Sequence, residues 1–335
     1  MENSVSFCCT SIYTNSEVLI QNIKSWPNEH CFIALDTKSP APIDPSVAHF
    51  IQVGGTENCE YSKVCPTRSY SRKNIAFLEA ARAGASFVFE TDDDNAITDF
   101  SFIGAAAEFF LERDANETGM PRNIFSELYD TEDNIWARGF PIRFLDEDAR
   151  EHAPPQKHTK RPGVAQFLVT GNPDVDAIFR LVKGNKVDLD ILPNQLPAAL
   201  FNTYHPFNSQ STLWPREYFP LTYLPSTCSF RMTDIYRGYI AQRILYEHDR
   251  SVVFCPPNVH QIRNEHRISK DFFDEHTGYQ ETEVIVSTLA ALPLTGQSSG
   301  DAMLSAYKAL VELGIFEAEE LNLLSAFLSE MNKLV

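Results

Sequence analysis

No run of the 335-residue sequence approaches the roughly 18 consecutive apolar residues of a membrane-spanning helix. Val5 to Ile12 already reads as a strand, so the chain as given is expected to be soluble and unexported, a cytoplasmic protein with peripheral attachment to a membrane as the variant. Cationic residues are also scarce: 28 Lys and Arg stand against 45 Asp and Glu, a net charge of −17. Nucleic-acid binding needs Lys and Arg to neutralise phosphates, so a nucleic-acid partner is excluded as the main function. A small anionic substrate is not, because a few basic groups in a cleft override the global field locally. The seven cysteines are odd in number and lack C-x-x-C spacing, which removes a disulfide framework, a zinc ribbon and a redox pair. Cys8, Cys9, Cys31 and Cys255 lie in apolar runs and are read as reduced, buried thiols.

What is present suits a folded enzyme. Hydrophobic residues make up 43% and aromatics 12%, above what a disordered chain carries. Short β-rich runs (Val5 to Ile12, Cys31 to Leu35, Phe50 to Val53, Ser86 to Glu90) alternate with helical stretches, the pattern of a parallel sheet with crossover helices. Ile75, Leu78 and Ala81 repeat within Arg72 to Ala83 ahead of Gly84, which predicts one such helix and its terminator. Residues 115–165 read as exposed loops, with Gln166 to Thr170 as a strand. Residues 186–230, rich in Pro, Asn and aromatics, read as an irregular wall. Asp234 to Leu245 is expected to be a helix capped by Thr233 or Asp234. Beyond about residue 280 the composition turns to Ala, Leu, Glu and Ser. The expected division is 1–280 as the main domain, with a nucleotide-binding half (1–95) and an acceptor half (96–280), followed by a helical extension over 281–335.

Phe87-Val88-Phe89-Glu90-Thr91-Asp92-Asp93-Asp94-Asn95 is a buried-type strand ending in carboxylates, where ligands bind in open α/β sheets. Along an extended chain Asp92 and Asp94 would share a side, a pair suited to the hard cations Mg²⁺ or Mn²⁺, which also take diphosphate oxygens. A solvated acidic turn is the alternative, and an EF-hand is excluded because its Gly and closing Glu are missing. Arg72 and Lys73 open the crossover helix against its dipole, either as solvated cations or facing a diphosphate. Asp234 is either a helix cap or a general base that Arg231 and Arg237 keep ionised. His260 and His266 are surface histidines or metal ligands.

These residues carry a resemblance. The runs Ala34 to Pro40, Ser71 to Asn74, Glu90 to Asn95, Trp136 to Pro141, Gly171 to Asp176, Pro206 to Gln210 and Phe230 to Gly238 make the chain similar to the STELLO family of glycosyltransferases over nearly its whole length. The resemblance implies a GT-A-like mixed α/β sheet with a Rossmann-like nucleotide-binding half, a nucleotide-sugar donor (a UDP-sugar favoured), a glycan or glycoconjugate acceptor and a divalent metal at the acidic run. It implies donor contacts from Thr10, Asp36, Arg72, Lys73, Asp92, Asp93 and Arg231, and acceptor contacts from Trp136, Arg138 and Trp214. Metal ligands would come from Asp92, Asp94, His260 and His266. Thr233-Asp234 is also similar to the base motif of inverting, cellulose-synthase-like transferases. Two other functions stand beside this: a nucleotide-sugar mutase, because the acidic run resembles that of the reversibly glycosylated polypeptides, and a non-catalytic sugar-nucleotide-binding scaffold.

Overall fold

The computed structural model describes residues 4–12, 16–26, 30–42, 44–54, 59–145, 155–184, 187–261 and 267–335. Its first half is built as the strand pattern requires. Strands β1 (Val5–Ser11), β2 (Cys31–Leu35), β3 (His49–Gln52) and β4 (Phe87–Thr91) are all parallel and lie in the order β3-β2-β1-β4. Alternation along β1 and β4 divides their side chains between two cores. Cys8 and Val88 face one side, whereas Phe7, Cys9, Phe87 and Phe89 face the other. Helix α1 (Glu17–Lys24) covers the second face with Leu19 and Ile23, and α3 (Lys73–Arg82), after the short α2 (Glu60–Val64), covers the first. Gly84 ends α3 at φ +83°, as its position after the last turn predicts.

Six further strands extend the sheet and turn it mixed. They are β6 (Arg113–Glu117), β7 (Gln156–Gly171), β8 (Ala198–Leu200), β9 (Ser211–Pro215) and β10 (Arg250–Gln261), with β5 (Asn95–Ile97) at the far end. Strand β9 runs antiparallel to both β4 and β7, and so joins the parallel half to the rest. The sheet is mixed, with a parallel, Rossmann-like first half, as the sequence resemblance implies. Three expectations are corrected. Strand β7 starts at Gln156, not Gln166, because its polar first residues pair with β6 at a half-exposed position where no apolar run is needed. Residues 186–230 contain β8 and β9 as well as irregular chain. The helix predicted from Asp234 is α7 (Thr233–Glu247); Met232 is its N-cap residue, with no side-chain capping bond.

The C-terminal segment does not stand apart. Helix α8 spans Ile268–Ala291, so a boundary at 280 falls inside it. Helices α9 (Ser299–Glu312) and α10 (Glu319–Leu334) contribute Tyr307, Leu310, Leu324, Phe327 and Met331 to the core that also holds Ile75, Tyr223 and Ile240. Buried Glu320 of α10 accepts hydrogen bonds from the Tyr223 hydroxyl and from the N–H groups of Ser226 and Thr227, 3.0 and 2.7 Å away. Buried Glu330 accepts from the Tyr61 N–H at 2.6 Å. Among the described residues no helix is long and apolar enough to cross a membrane.

Helix α7 lies against the Phe207 segment at Gly238, where an added Cβ would sit 2.4 Å from the Phe207 carbonyl oxygen. Gly238→Ala is therefore expected to lower stability by about 1–3 kcal/mol in urea unfolding, the usual cost of overpacking, despite the roughly 1 kcal/mol helix advantage of Ala over Gly. Unchanged or raised stability would show that α7 can lift off Phe207 freely.

Candidate functional site

The acidic run leaves β4 and folds at once into a tight turn closed by the Asn95 N–H on the Asp92 carbonyl, 3.3 Å. The turn is clamped from below by α1. The Asn22 amide donates to the Asn95 carbonyl at 2.7 Å and accepts from the Ile97 N–H at 3.0 Å, while the Ser16 hydroxyl donates to the Asp93 carbonyl at 3.2 Å. Alternation along an extended strand consequently does not govern the three carboxylates. Asp92 accepts from Lys73 and Tyr70, Asp93 accepts from the Ser11 hydroxyl, and the Gln261 side chain bonds Asp94. Burial, reinforced by Asp92 and Asp93, pushes the Asp94 carboxyl up to about 7. The Asp93 carboxyl is raised too, by burial and by Asp92.

The two cations at the start of α3 are inside the protein, not on its surface. Lys73 is fully buried and donates to Asp92 Oδ1 at 2.8 Å, to the Tyr70 hydroxyl at 2.6 Å and to the Ser209 carbonyl at 3.3 Å. Against burial, Asp92 raises its pKa. Its paired charge, not the helix dipole, governs its energetics, so replacing it would destabilise the fold. Arg72 reaches Asp36 at 3.4 Å and donates to the Ser69 carbonyl. Its Nε has no partner among the described residues. Asp36 lies directly after β2, and Thr10 in β1 donates to the Ala34 carbonyl at 3.0 Å, so both line the sheet end beside the acidic turn.

A second cluster forms around Arg138. Its guanidinium holds Asp174 at 2.9 and 2.7 Å and Asp234 at 3.0 and 3.1 Å, and also bonds the Arg231 carbonyl. Burial alone would raise the Asp174 carboxyl, but Arg138 holds it well below the usual carboxylate range, with help from Arg231 and the Asn208 amide. The cation beside Asp234 is therefore Arg138, and the expected role of Arg231 and Arg237 there is corrected. Arg231 is taken up by buried Glu275, at 2.8 Å, and Arg237 by buried Glu90, also at 2.8 Å. The Glu90–Arg237 pair is wholly enclosed, with the guanidinium over the rings of Trp214 and Phe207. Asp234 is not the helix cap; it lies one residue inside α7 and accepts its neighbour's N–H, from Ile235 at 3.0 Å.

The two clusters meet through residues that residue type did not single out. The Tyr70 hydroxyl touches both Asp92 and the Ser209 hydroxyl, and the Ser209 N–H donates to Asp234 at 3.3 Å. Tyr70 directly precedes the Ser71 to Asn74 run, and Ser209 lies within the Pro206 to Gln210 run, which were the available signals.

The remaining expectations divide. Trp214 is fully buried in β9 and donates to Glu90 at 2.9 Å, so it has no face to offer an acceptor. Trp136 is half-buried, donating to Asp176 and packing edge-on against Phe179. His260 is exposed, with Nδ1 3.2 Å from the Thr170 hydroxyl. It joins no cation site with Asp92 and Asp94, because among the described residues no three His, Cys, Asp or Glu side chains converge on one point. His266 lies outside the described residues.

Fold and site together define an α/β protein with a carboxylate-rich turn at the carboxyl end of β4. Residues 231–335 match the family described as STELLO glycosyltransferases. The chain is 23% identical over 284 residues to "Probable glycosyltransferase STELLO1" of Arabidopsis thaliana, covering 79% of this chain and 36% of that protein. It is 26% identical over 213 residues to "Probable glycosyltransferase STELLO2", covering 58% and 27%. The chain is thus similar to the STELLO glycosyltransferases, and spans about a third of the length of these curated proteins. Among solved structures it is similar to glucosyl-3-phosphoglycerate synthase from Mycobacterium tuberculosis in complex with Mn²⁺, UDP-glucose and glycerol 3-phosphate. That likeness has a TM-score of 0.40 and 12% identity, and covers 87% of this chain and 81% of that one.

Proposed function

We propose that the chain transfers a sugar from a nucleotide-sugar donor to an acceptor hydroxyl, with inversion. The observation that carries this reading is the bridge from Asp92 through Tyr70 and Ser209 to Asp234. It sets a cluster suited to a donor diphosphate within one side-chain layer of a buried carboxylate suited to deprotonate an acceptor.

In this reading Asp36 and Thr10 border the nucleoside, and Arg72, whose Nε lacks a partner among the described residues, turns to the diphosphate. Asp94 and the half-exposed Asp92 would supply carboxylate oxygens from the acidic turn. That fits a Mg²⁺ or Mn²⁺ ion, which characteristically takes one or two carboxylates and completes its shell with phosphate and water. Such an ion would neutralise charge on the departing diphosphate. Lys73 and Tyr70 hold Asp92 in place meanwhile. Asp234 removes the acceptor proton; its contacts with Arg138, 3.0 and 3.1 Å, are longer than those of Asp174, 2.9 and 2.7 Å.

The test is calorimetry with UDP and UDP-sugars on the wild type and Asp94→Ala. Binding is expected to weaken at least about 10-fold both in EDTA and in the variant, on the loss of one charged ligand contact. Unaltered affinity in EDTA, with the protein folded, would remove the metal from the reading. A donor consumed without acceptor and returned as an isomeric nucleotide sugar would indicate the mutase instead.

A further inference from the structure

We infer that Phe230 forms the apolar wall of the donor-sugar subsite and that the sugar it takes is a neutral hexopyranose; this rests on the transferase reading above. Phe230 is 63% exposed, although its chain neighbours on both sides are anchored. The Ser229 hydroxyl donates to the Asp274 carbonyl, and Arg231 is paired with Glu275, so α8 holds the segment from behind. The ring projects the other way. It meets Tyr70 nearly perpendicularly, with centroids 5.6 Å apart, and Tyr70 is the residue whose hydroxyl holds Asp92.

An aromatic ring this exposed, held by a fixed loop and one residue removed from the acidic turn, is an open apolar face beside the expected diphosphate position. A pyranose offers a C–H-lined face that such a ring can cover, while its hydroxyls turn to polar groups. Charge chooses the sugar class. The cations next to this segment are already matched to carboxylates: Arg231 to Glu275, Arg138 to Asp174 and Asp234, and Lys73 to Asp92. A uronic acid would bring a further carboxylate among Asp92, Asp174 and Asp234 with no unpaired cation among these three to receive it.

The experiment compares the affinities of the full chain with Mn²⁺ for UDP, UDP-glucose, UDP-galactose and UDP-glucuronic acid, in the wild type, Phe230→Ala and Phe230→Tyr. At this exposed position the substitutions are expected to leave folding intact, which unfolding curves would check. The expected result is UDP binding unchanged within about 2-fold in Phe230→Ala, at least one neutral UDP-hexose weakened about 10-fold, and recovery in Phe230→Tyr. UDP-glucuronic acid should bind the wild type more weakly than that hexose. Equal losses for UDP and the UDP-hexoses, or no loss at all, would overturn the wall while leaving the transferase reading intact. Equal or tighter wild-type binding of UDP-glucuronic acid would overturn the neutral-sugar assignment. Wild type that binds none of the four would overturn the transferase reading and the inference with it.

Discussion

Asp234→Asn is expected to cut sugar transfer by about 10²–10⁴-fold, the usual contribution of a general base, while UDP affinity stays within about 2-fold. The carboxylate and amide have nearly the same shape, so the acceptor space is kept and only proton abstraction is lost. The fold should feel the change as well. Asp234 Oδ1 accepts from Ile235 and Arg138, and Oδ2 from Ser209 and Arg138. Asn has a single oxygen, leaving two of these donors without an acceptor at a cost of about 1–3 kcal/mol. UDP release from UDP-sugars with a panel of glycan acceptors gives the rate, and urea unfolding gives the stability. Transfer near the parental rate would pass the base role to Asp174, despite its tighter hold on Arg138.

Arg237→Met is expected to be the more damaging change for stability, by about 3–5 kcal/mol, because it strands a buried charge. Glu90 is inaccessible to water and, among the described residues, receives Arg237 and the Trp214 indole on Oε1, with no partner for Oε2. The pair itself adds little net stability once its desolvation is counted, so Glu90→Gln together with Arg237→Met should recover most of the loss. Chemical denaturation of the two single variants and the double variant decides it. If Arg237→Met loses less than about 1 kcal/mol, the enclosed pair is reached by water and the geometry of α7 against β4 is looser than described.

Legibility in the sequence followed the range of the interaction. The acidic turn after β4 was readable because an apolar run followed by three carboxylates is a local pattern, and α3 with Gly84 was readable for the same reason. Strand β6 was not. Arg113–Glu117 is polar throughout, and only its pairing with the first residues of β7 makes it a strand. The dipole argument for Lys73 failed because a local field of a few tenths of a kcal/mol was outweighed by a buried contact with Asp92, 19 residues away.

By itself the sequence determined the Rossmann-like first half, the presence and position of the carboxylate turn and the family likeness, since each depends on residue order within a short window. Which cation serves which carboxylate was decided only by the tertiary structure. Arg138 reaches Asp234 across 96 residues, while Arg231 and Arg237, its near neighbours in the chain, turn to Glu275 and Glu90. The physical reason is that a buried charge must be matched where the packing leaves it, and helix α7 turns successive side chains to different faces. Proximity along the chain therefore says little about partnership in the core.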